Sequence, residues 1–124
     1  MKQKDDRSAQ GVVDLADLLA RVENDHDLLC ELIVIFKEDF PPALQSLQES
    51  VAREDMKALE LTSHALKGML SGLSVIQAAA TASRLEQMAR EGITSGLTDA
   101  LALLESQVAQ LLPELDAYAE GAHS

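Results

Sequence analysis

The stretch His64-Ala65-Leu66-Lys67-Gly68-Met69-Leu70-Ser71-Gly72 lies inside a segment whose pattern predicts an α-helix. Asp55 is a good N-cap for this helix, and residues 56–73 contain no proline. At about 100° per residue, Leu66 falls at the centre of the apolar face. His64 falls about 160° away from Leu66, on the side opposite the core. The spacing therefore predicts that this imidazole projects outward from the middle of a long amphipathic helix.

Small residues surround His64 on the outer face of this helix. Gly68 lies one turn after the histidine, and Ser71 and Gly72 extend the small surface along the next turn. A glycine inside an exposed helix costs about 1 kcal/mol relative to alanine. Two glycines so close together break a local rule of helix composition, and such breaks tend to mark functional sites. We therefore expect a large partner to approach the imidazole closely.

The same helix face supplies an apolar centre with charged edges. Leu61 and Ala65 lie on the side of His64, and Glu60 and Lys67 flank them. Such a pattern is typical of a docking surface, although a single exposed leucine is also common on ordinary protein surfaces. We predict that the partner binds Glu60, Leu61, Ala65, Gly68, Ser71 and Gly72.

The chemistry of His64 suits phosphoryl transfer. Neutral imidazole has a free lone pair near pH 7, so it acts as a nucleophile without a strong base and accepts a phosphoryl group as a phosphoramidate. Lys67, one turn along, would place an ammonium near the phosphoryl oxygens. Phosphoryl transfer depends mainly on positioning and charge neutralisation. Since the chain has no phosphate-binding loop, we expect partners to supply the donor and acceptor sites.

Helical periodicity also predicts elements that precede the His64 segment. Apolar residues at steps of three and four predict a short helix over residues 12–22, with Asp14 in its first turn. A long helix follows over about residues 25–51 and contains Pro41-Pro42. Proline inside a helix costs about 3 kcal/mol and disfavours helix at the residue before it. We therefore expect a kink or a short break near Phe40.

Two further helices are predicted after the His64 segment. Ser74 is expected to cap a helix over residues 75–91, and a last helix is expected over residues 97–118. Four long amphipathic helices with short connections predict an all-α fold, an antiparallel up-down-up-down four-helix bundle with an extra short N-terminal helix. We assign residues 1–11 to a disordered tail, residues 12–119 to the bundle and residues 120–124 to a frayed C-terminus.

Composition limits the classes of partner and cofactor. At 124 residues, with 2% aromatic residues, the chain is expected to form one domain with an aliphatic core. A net charge of −11 argues against nucleic acid and anionic membranes as partners. The acidic cluster around His26 lacks the spacing of a calcium loop, so no metal site is expected.

The sequence favours a cytoplasmic location. Cys30 is the single cysteine and cannot form an internal disulfide, which is consistent with a reducing compartment. The chain contains no apolar run long enough to span a membrane, and its N-terminus does not have the pattern of a signal peptide. Membership of a larger membrane-attached sensor kinase stays open.

The residues His64-Ala65-Leu66-Lys67-Gly68 resemble the His-x-x-Lys-Gly signature of histidine-containing phosphotransfer (HPt) domains of two-component phosphorelays. Residues 27–36 are similar to the family's first long helix, and residues 84–92 are similar to its third. The resemblance covers about residues 12–118. Ser74 stands where the family often has a glycine, and Met69 and Leu70 stand where small residues are common.

The resemblance implies a phosphoryl carrier with no ATP site or cofactor of its own. His64 would accept the phosphoryl group from the phosphoaspartate of a receiver domain and pass it to another receiver, and Lys67 would balance its charge. The partner would be a response-regulator receiver domain, a hybrid sensor histidine kinase, or both. Magnesium would belong to the receiver, and a monomer is expected.

Three alternatives differ from this interpretation. In the dimerisation hairpin of a histidine kinase, an acidic residue typically follows the histidine, and Ala65 is not acidic. A helical adaptor that binds a receiver or kinase without phosphotransfer has no need of His64, Lys67 and Gly68 together. A free-standing enzyme would need a phosphate loop, a metal cluster or an acid–base pair, and the sequence has no pattern for any of them.

Overall fold

The segments that helical periodicity predicts to be helical are helices in the computed structural model. The model describes residues 13–123, and their side chains through residue 120. The helices are α1 (Leu15–Arg21), α2 (His26–Arg53), α3 (Met56–Gly72), α4 (Ile76–Glu91) and α5 (Leu97–His123). No strand occurs among these described residues, so the all-α prediction is confirmed. The disordered tail predicted at residues 1–11 lies outside the described residues, as do Val12 and Ser124.

The four long helices pack as a bundle around an aliphatic core. Helix α2 packs on α3, α3 on α4, α4 on α5, and α5 returns to pack on α2. The antiparallel up-down-up-down order and the domain boundaries stay predictions. The largest fully buried side chains are almost all leucines: Leu18, Leu29, Leu47, Leu59, Leu66, Leu70, Leu85, Leu104, Leu111 and Leu115, with Ile33 and Val13.

Aspartate side chains begin the first three helices. Asp25 caps α2 and Asp55 caps α3, each accepting a hydrogen bond of 3.1 Å from the backbone N–H three residues on. Asp14 caps α1 in the same way. The short helix therefore begins at Leu15, later than the predicted residue 12, because Asp14 is its N-cap rather than part of its first turn.

Of the kink or short break expected near Phe40, the break is wrong, because α2 continues through Pro41 and Pro42 to Arg53. The kink stays a prediction. The rings of Phe36 and Phe40 are both buried and stack with centroids 4.7 Å apart. The apolar stripe continues to the buried side chain of Leu47. Packing of this stripe against α3 and α5 offsets the cost of the two prolines and keeps one helix.

Ser74 does not cap α4, contrary to the sequence prediction. Helix α4 begins at Ile76, and Val75 occupies its N-cap position without a side-chain hydrogen bond. Ser74 instead has a φ of 59° and ends α3 in a Schellman motif, in which the Val75 N–H donates to the Leu70 carbonyl at 2.9 Å. Its buried hydroxyl donates to Asp17 Oδ2 at 2.6 Å and so attaches α1 to the turn between α3 and α4.

Ser74 thus combines an unfavourable backbone conformation with a favourable buried hydrogen bond. Ser74→Ala keeps the positive φ and loses the bond, so we expect the free energy of unfolding to fall by about 1–2 kcal/mol. Ser74→Gly loses the same bond but relieves the left-handed strain, so we expect it to be more stable than Ser74→Ala by about 1 kcal/mol. Urea unfolding of both variants measures this difference, and equal stabilities would contradict it.

The last helix is longer than predicted. Helix α5 continues through Pro113 and ends at His123, whereas the sequence predicted its end at residue 118. The frayed segment expected from residue 120 stays a prediction. The hydroxyl of Tyr118 donates to Glu114 Oε2 at 2.6 Å, and the same oxygen accepts the backbone N–H of Val13 at 3.1 Å. These bonds connect the C-terminal part of α5 to Val13, at the start of the described chain, and support the last turns of α5.

Candidate functional site

Helix α3 presents His64 to solvent, because its buried side carries Leu59, Leu66 and Leu70, all with no exposed surface. The side chain of His64 is 67% exposed. This is the position that the helical spacing predicts for a residue opposite Leu66. The imidazole is therefore accessible to a large partner, while the helix that carries it is fixed in the core.

A buried carboxylate on α4 holds the inner nitrogen of this imidazole. Glu86 Oε2 lies 2.9 Å from His64 Nδ1, although the side chain of Glu86 is only 3% exposed. Two cations bind the same carboxylate: Lys67 Nζ lies 2.9 Å from Oε1, and an amino group of Arg90 lies 2.8 Å from Oε2. Glu86 is therefore the centre of a cluster that joins α3 to α4.

The electrostatics of this cluster determine which tautomer His64 adopts. The hydrogen bond from Lys67 lowers the pKa of Glu86 below its usual value; burial raises it, but the His64 bond and the charges of Arg90 and Lys67 lower it further. Glu86 is thus an ionised carboxylate near pH 7 and can only accept hydrogen bonds. His64 Nδ1 must then carry the proton, and the lone pair of the neutral ring lies on Nε2.

The lowered pKa of Glu86 predicts a stability term that depends on pH. A carboxylate whose pKa is lower in the folded state stabilises the fold above its unfolded pKa and loses that contribution as pH falls through its folded pKa. We expect Glu86→Gln to change the free energy of unfolding more near pH 7 than near pH 3. Urea unfolding at both pH values measures this, with the exposed Glu91→Gln as control. An equal difference at both pH values would contradict it.

The surface around His64 is open. A methyl group added at Gly68 or at Gly72 would meet no heavy atom of other parts of the protein within 4 Å. Ala65 is exposed, Ser71 is partly buried, and the side chain of Leu61 is 64% exposed. The predicted docking residues on α3 are thus mostly exposed, and their role in binding stays a prediction.

An apolar groove between α2 and α3 continues this open surface. It has a volume of about 170 Å³, and Gly68 and Gly72 form part of its wall on α3. Ile35, Phe36 and Asp39 contribute from α2. Ile35 is 52% exposed, so the groove opens to solvent beside an apolar side chain. The sequence prediction of the docking surface included none of these residues of α2.

Two predicted residues have partners within the chain. Lys67, expected beside the phosphoryl oxygens, is 34% exposed and binds Glu86. Glu60, expected at the docking surface, accepts a hydrogen bond of 3.1 Å from Arg90 Nε. Glu86 itself was missed as a site residue. Its position in the buried seam of α4, between alanines at positions 82 and 89, was the available signal, because a charged residue there needs partners.

Between residues 13 and 123, no group of three or more His, Cys, Asp or Glu side chains could hold a metal ion. None of the helices α1 to α5 is long and apolar enough to cross a membrane.

Comparison with known proteins assigns the chain to a family. Neither the curated proteins nor the solved structures include a match to this chain. The family model described as the Hpt domain matches residues 31–118, which include α3, α4, His64, Glu86 and most of α2 and α5. Because this match covers most of the chain and includes an exposed histidine with the expected Lys-Gly neighbours, the chain belongs to the Hpt domain family.

Proposed function

We propose that the chain is a phosphorelay intermediate that accepts a phosphoryl group on His64 from the phosphoaspartate of a receiver domain and passes it to another receiver. Hpt domains perform histidine phosphotransfer in phosphorelays and have no ATP site of their own. The observation that carries the proposal is the 2.9 Å contact between His64 Nδ1 and the buried Glu86. It orients an exposed imidazole with its Nε2 lone pair available for attack.

The transfer step balances with the groups at hand. The Nε2 lone pair attacks phosphorus, the P–O bond to the donor aspartate breaks, and the aspartate leaves as a carboxylate. His64 then carries the phosphoryl group on Nε2 and a proton on Nδ1, so the ring is an imidazolium. The Glu86 carboxylate at 2.9 Å stabilises that positive charge as it develops. The reverse step returns the phosphoryl group to an aspartate carboxylate and regenerates the neutral ring.

Lys67 is proposed to neutralise charge on the phosphoryl group. Its ammonium is bound to Glu86 Oε1, one turn along α3 from His64, and its side chain is 34% exposed. A long flexible side chain with a point charge can rotate from the carboxylate towards a doubly charged phosphoryl group. The receiver would supply the magnesium ion that the donor aspartate requires.

The surface around His64 is proposed to bind the receiver domain. A receiver whose aspartate reaches Nε2 would lie over the outer face of α3, where an added Cβ at Gly68 or Gly72 would meet no other part of the protein. The exposed Leu61 and Ile35 would provide apolar contacts on either side of the path of that aspartate.

We also propose that the bundle is antiparallel up-down-up-down, since connections of two to five residues join successive packed helices. A monomer in the cytoplasm, alone or within a sensor kinase, completes the proposal.

A phosphotransfer assay tests this function against the adaptor alternative. Receiver domains carrying labelled phosphate would be mixed with the wild type and with His64→Gln. We expect label on the wild type that is labile in acid and stable in base, and none on the variant. Receivers that bind the wild type but transfer no label would support a helical adaptor instead.

A further inference from the structure

Arg90 joins two carboxylates beside the imidazole. An amino group of its guanidinium binds Glu86 Oε2 at 2.8 Å, the oxygen that also accepts the hydrogen bond from His64 Nδ1. Its Nε donates to Glu60 Oε2 at 3.1 Å, and Glu60 lies one turn before His64 on α3. The guanidinium is therefore next to the phosphoacceptor ring and is bound on its outer side by a carboxylate.

The two carboxylates differ in exposure. The Glu86 side chain is 3% exposed, whereas the side chains of Glu60 and Arg90 are 41% and 52% exposed. The Arg90–Glu60 contact is thus the part of the cluster that can open without uncovering a buried charge. Partly exposed ion pairs contribute little to stability, so their partners exchange easily.

We propose that Glu60 is a competing carboxylate that occupies Arg90 while His64 is unphosphorylated and releases it when His64 carries a phosphoryl group. This inference rests on the proposed function. A phosphoryl group on Nε2 carries about two negative charges, against one on Glu60, so it attracts a neighbouring guanidinium more strongly. Glu60 would then act as a positioning residue that makes phosphorylation of His64 less favourable.

The consequence is a bias in the phosphotransfer equilibrium. While Arg90 is bound to Glu60, phosphorylation must break that contact, and dephosphorylation restores it. The Arg90–Glu60 contact therefore favours release of the phosphoryl group to an acceptor. Removing the Glu60 charge should shift the equilibrium towards phosphorylated His64, and this shift should depend on Arg90.

A double-mutant cycle with a small phosphodonor tests the proposal without a receiver. Wild type, Glu60→Gln, Arg90→Gln and the double variant would be equilibrated with phosphoramidate and excess ammonium. In this reaction the P–N bond of the donor breaks, ammonia leaves, and a P–Nε2 bond forms. The fraction of phosphorylated His64, measured by ³¹P NMR, gives the equilibrium constant. Glu91→Gln is the control, since it removes an exposed carboxylate that accepts a hydrogen bond from Gln87.

We expect Glu60→Gln to raise the equilibrium constant about two- to fivefold, the range that partly exposed ion pairs give in such cycles. In the Arg90→Gln background, Glu60→Gln should have no effect, and Glu91→Gln should have none in either background. An equal effect of Glu60→Gln in both backgrounds would overturn the proposal, because it would show simple charge repulsion. Arg90→Met, which also removes the charge, closes the cycle if Arg90→Gln does not fold. A wild type that takes up no phosphate would overturn the proposed function together with this inference, whereas a phosphorylated wild type with a flat cycle would overturn this inference alone.

Discussion

Gly68→Gln is expected to make the protein more stable and a much poorer phosphoryl acceptor. Gly68 lies in the interior of α3, where glutamine is a better helix former, so we expect the free energy of unfolding to rise by about 0.5–1 kcal/mol. An added Cβ at this position would meet no heavy atom of other parts of the protein within 4 Å, so the substitution begins without a clash in the fold. We expect the rest of the side chain to extend over the outer face of α3 towards His64, which lies one turn earlier.

The loss of transfer follows from the path that a donor must take. The reacting phosphorus must come within about 3–3.5 Å of Nε2, and a displacement of about 1 Å can cost 100-fold in rate. We therefore expect Gly68→Gln to lower the rate of transfer from a phosphorylated receiver about 100-fold. Urea unfolding and rapid-quench transfer kinetics measure the two effects.

A matched control uses the same substitution away from the site. Gly92 ends α4 with a φ of 69°, so Gly92→Gln should lower stability while leaving the surface around His64 unchanged. Normal transfer by Gly68→Gln would show that the open surface is not needed for the approach of a receiver. Lower stability of Gly68→Gln would contradict the assignment of the glycine to access rather than to packing.

Glu86→Gln is expected to lower the rate of phosphoryl uptake by about 10- to 100-fold, because the site then lacks the carboxylate that stabilises the developing imidazolium. When the amide oxygen of glutamine accepts the Nδ1 hydrogen bond, its NH2 group faces Lys67 Nζ, which bonds Oε1 in the wild type. The variant isolates the effect of charge where ¹⁵N NMR shows the His64 proton still on Nδ1. Glu86 bears this effect because its carboxylate is 2.9 Å from Nδ1 and is shielded from water.

Kinetics with phosphoramidate as donor separate this effect from receiver binding. Glu91→Gln removes a carboxylate from the same helix and is expected to leave the rate unchanged. Since Lys67 and Arg90 also bind Glu86, circular dichroism and urea unfolding would establish that Glu86→Gln is folded at the assay temperature. An unchanged rate in the folded variant would show that the charge of Glu86 does not assist the transfer.

The sequence predicts the position of His64 well, because helical periodicity depends only on residue spacing. The apolar residues of α3 repeat clearly around Leu66, and the outward direction of His64 follows from them. The Asp55 cap was predicted for a similar reason, since a cap acts within the first turn of its helix. Features that depend on neighbouring residues along the chain could therefore be predicted from the sequence.

The partners of Glu86 could not be predicted in the same way, because they come from two helices. Spacing along α4 indicates that Glu86 and Arg90 can pair, but it does not indicate that His64 and Lys67 meet the same carboxylate. Ser74 was misassigned for a related reason. A serine before a helix usually caps it, and only the contact with α1 shows that this hydroxyl binds Asp17.

The short break expected near Phe40 does not occur, because tertiary packing outweighs the local cost of the prolines. Pro41 and Pro42 lie on the exposed side of α2, and the buried side holds Phe40 immediately before them and Leu47 beyond them. Local rules describe only the cost of the prolines. The stabilisation that keeps α2 continuous comes from the core, which becomes visible only when the helices are assembled.

The most direct test of the central claim is to identify which ring nitrogen of His64 carries the phosphoryl group. The protein would be phosphorylated with phosphoramidate, and two-dimensional ¹H–¹⁵N NMR of the histidine rings would identify the substituted nitrogen, with His64→Gln for assignment. We expect the phosphoryl group on Nε2 of His64 and a proton on Nδ1, because Glu86 holds Nδ1. Phosphate on Nδ1 of His64, or equal labelling of His26, would contradict the claim that this carboxylate selects the nucleophile.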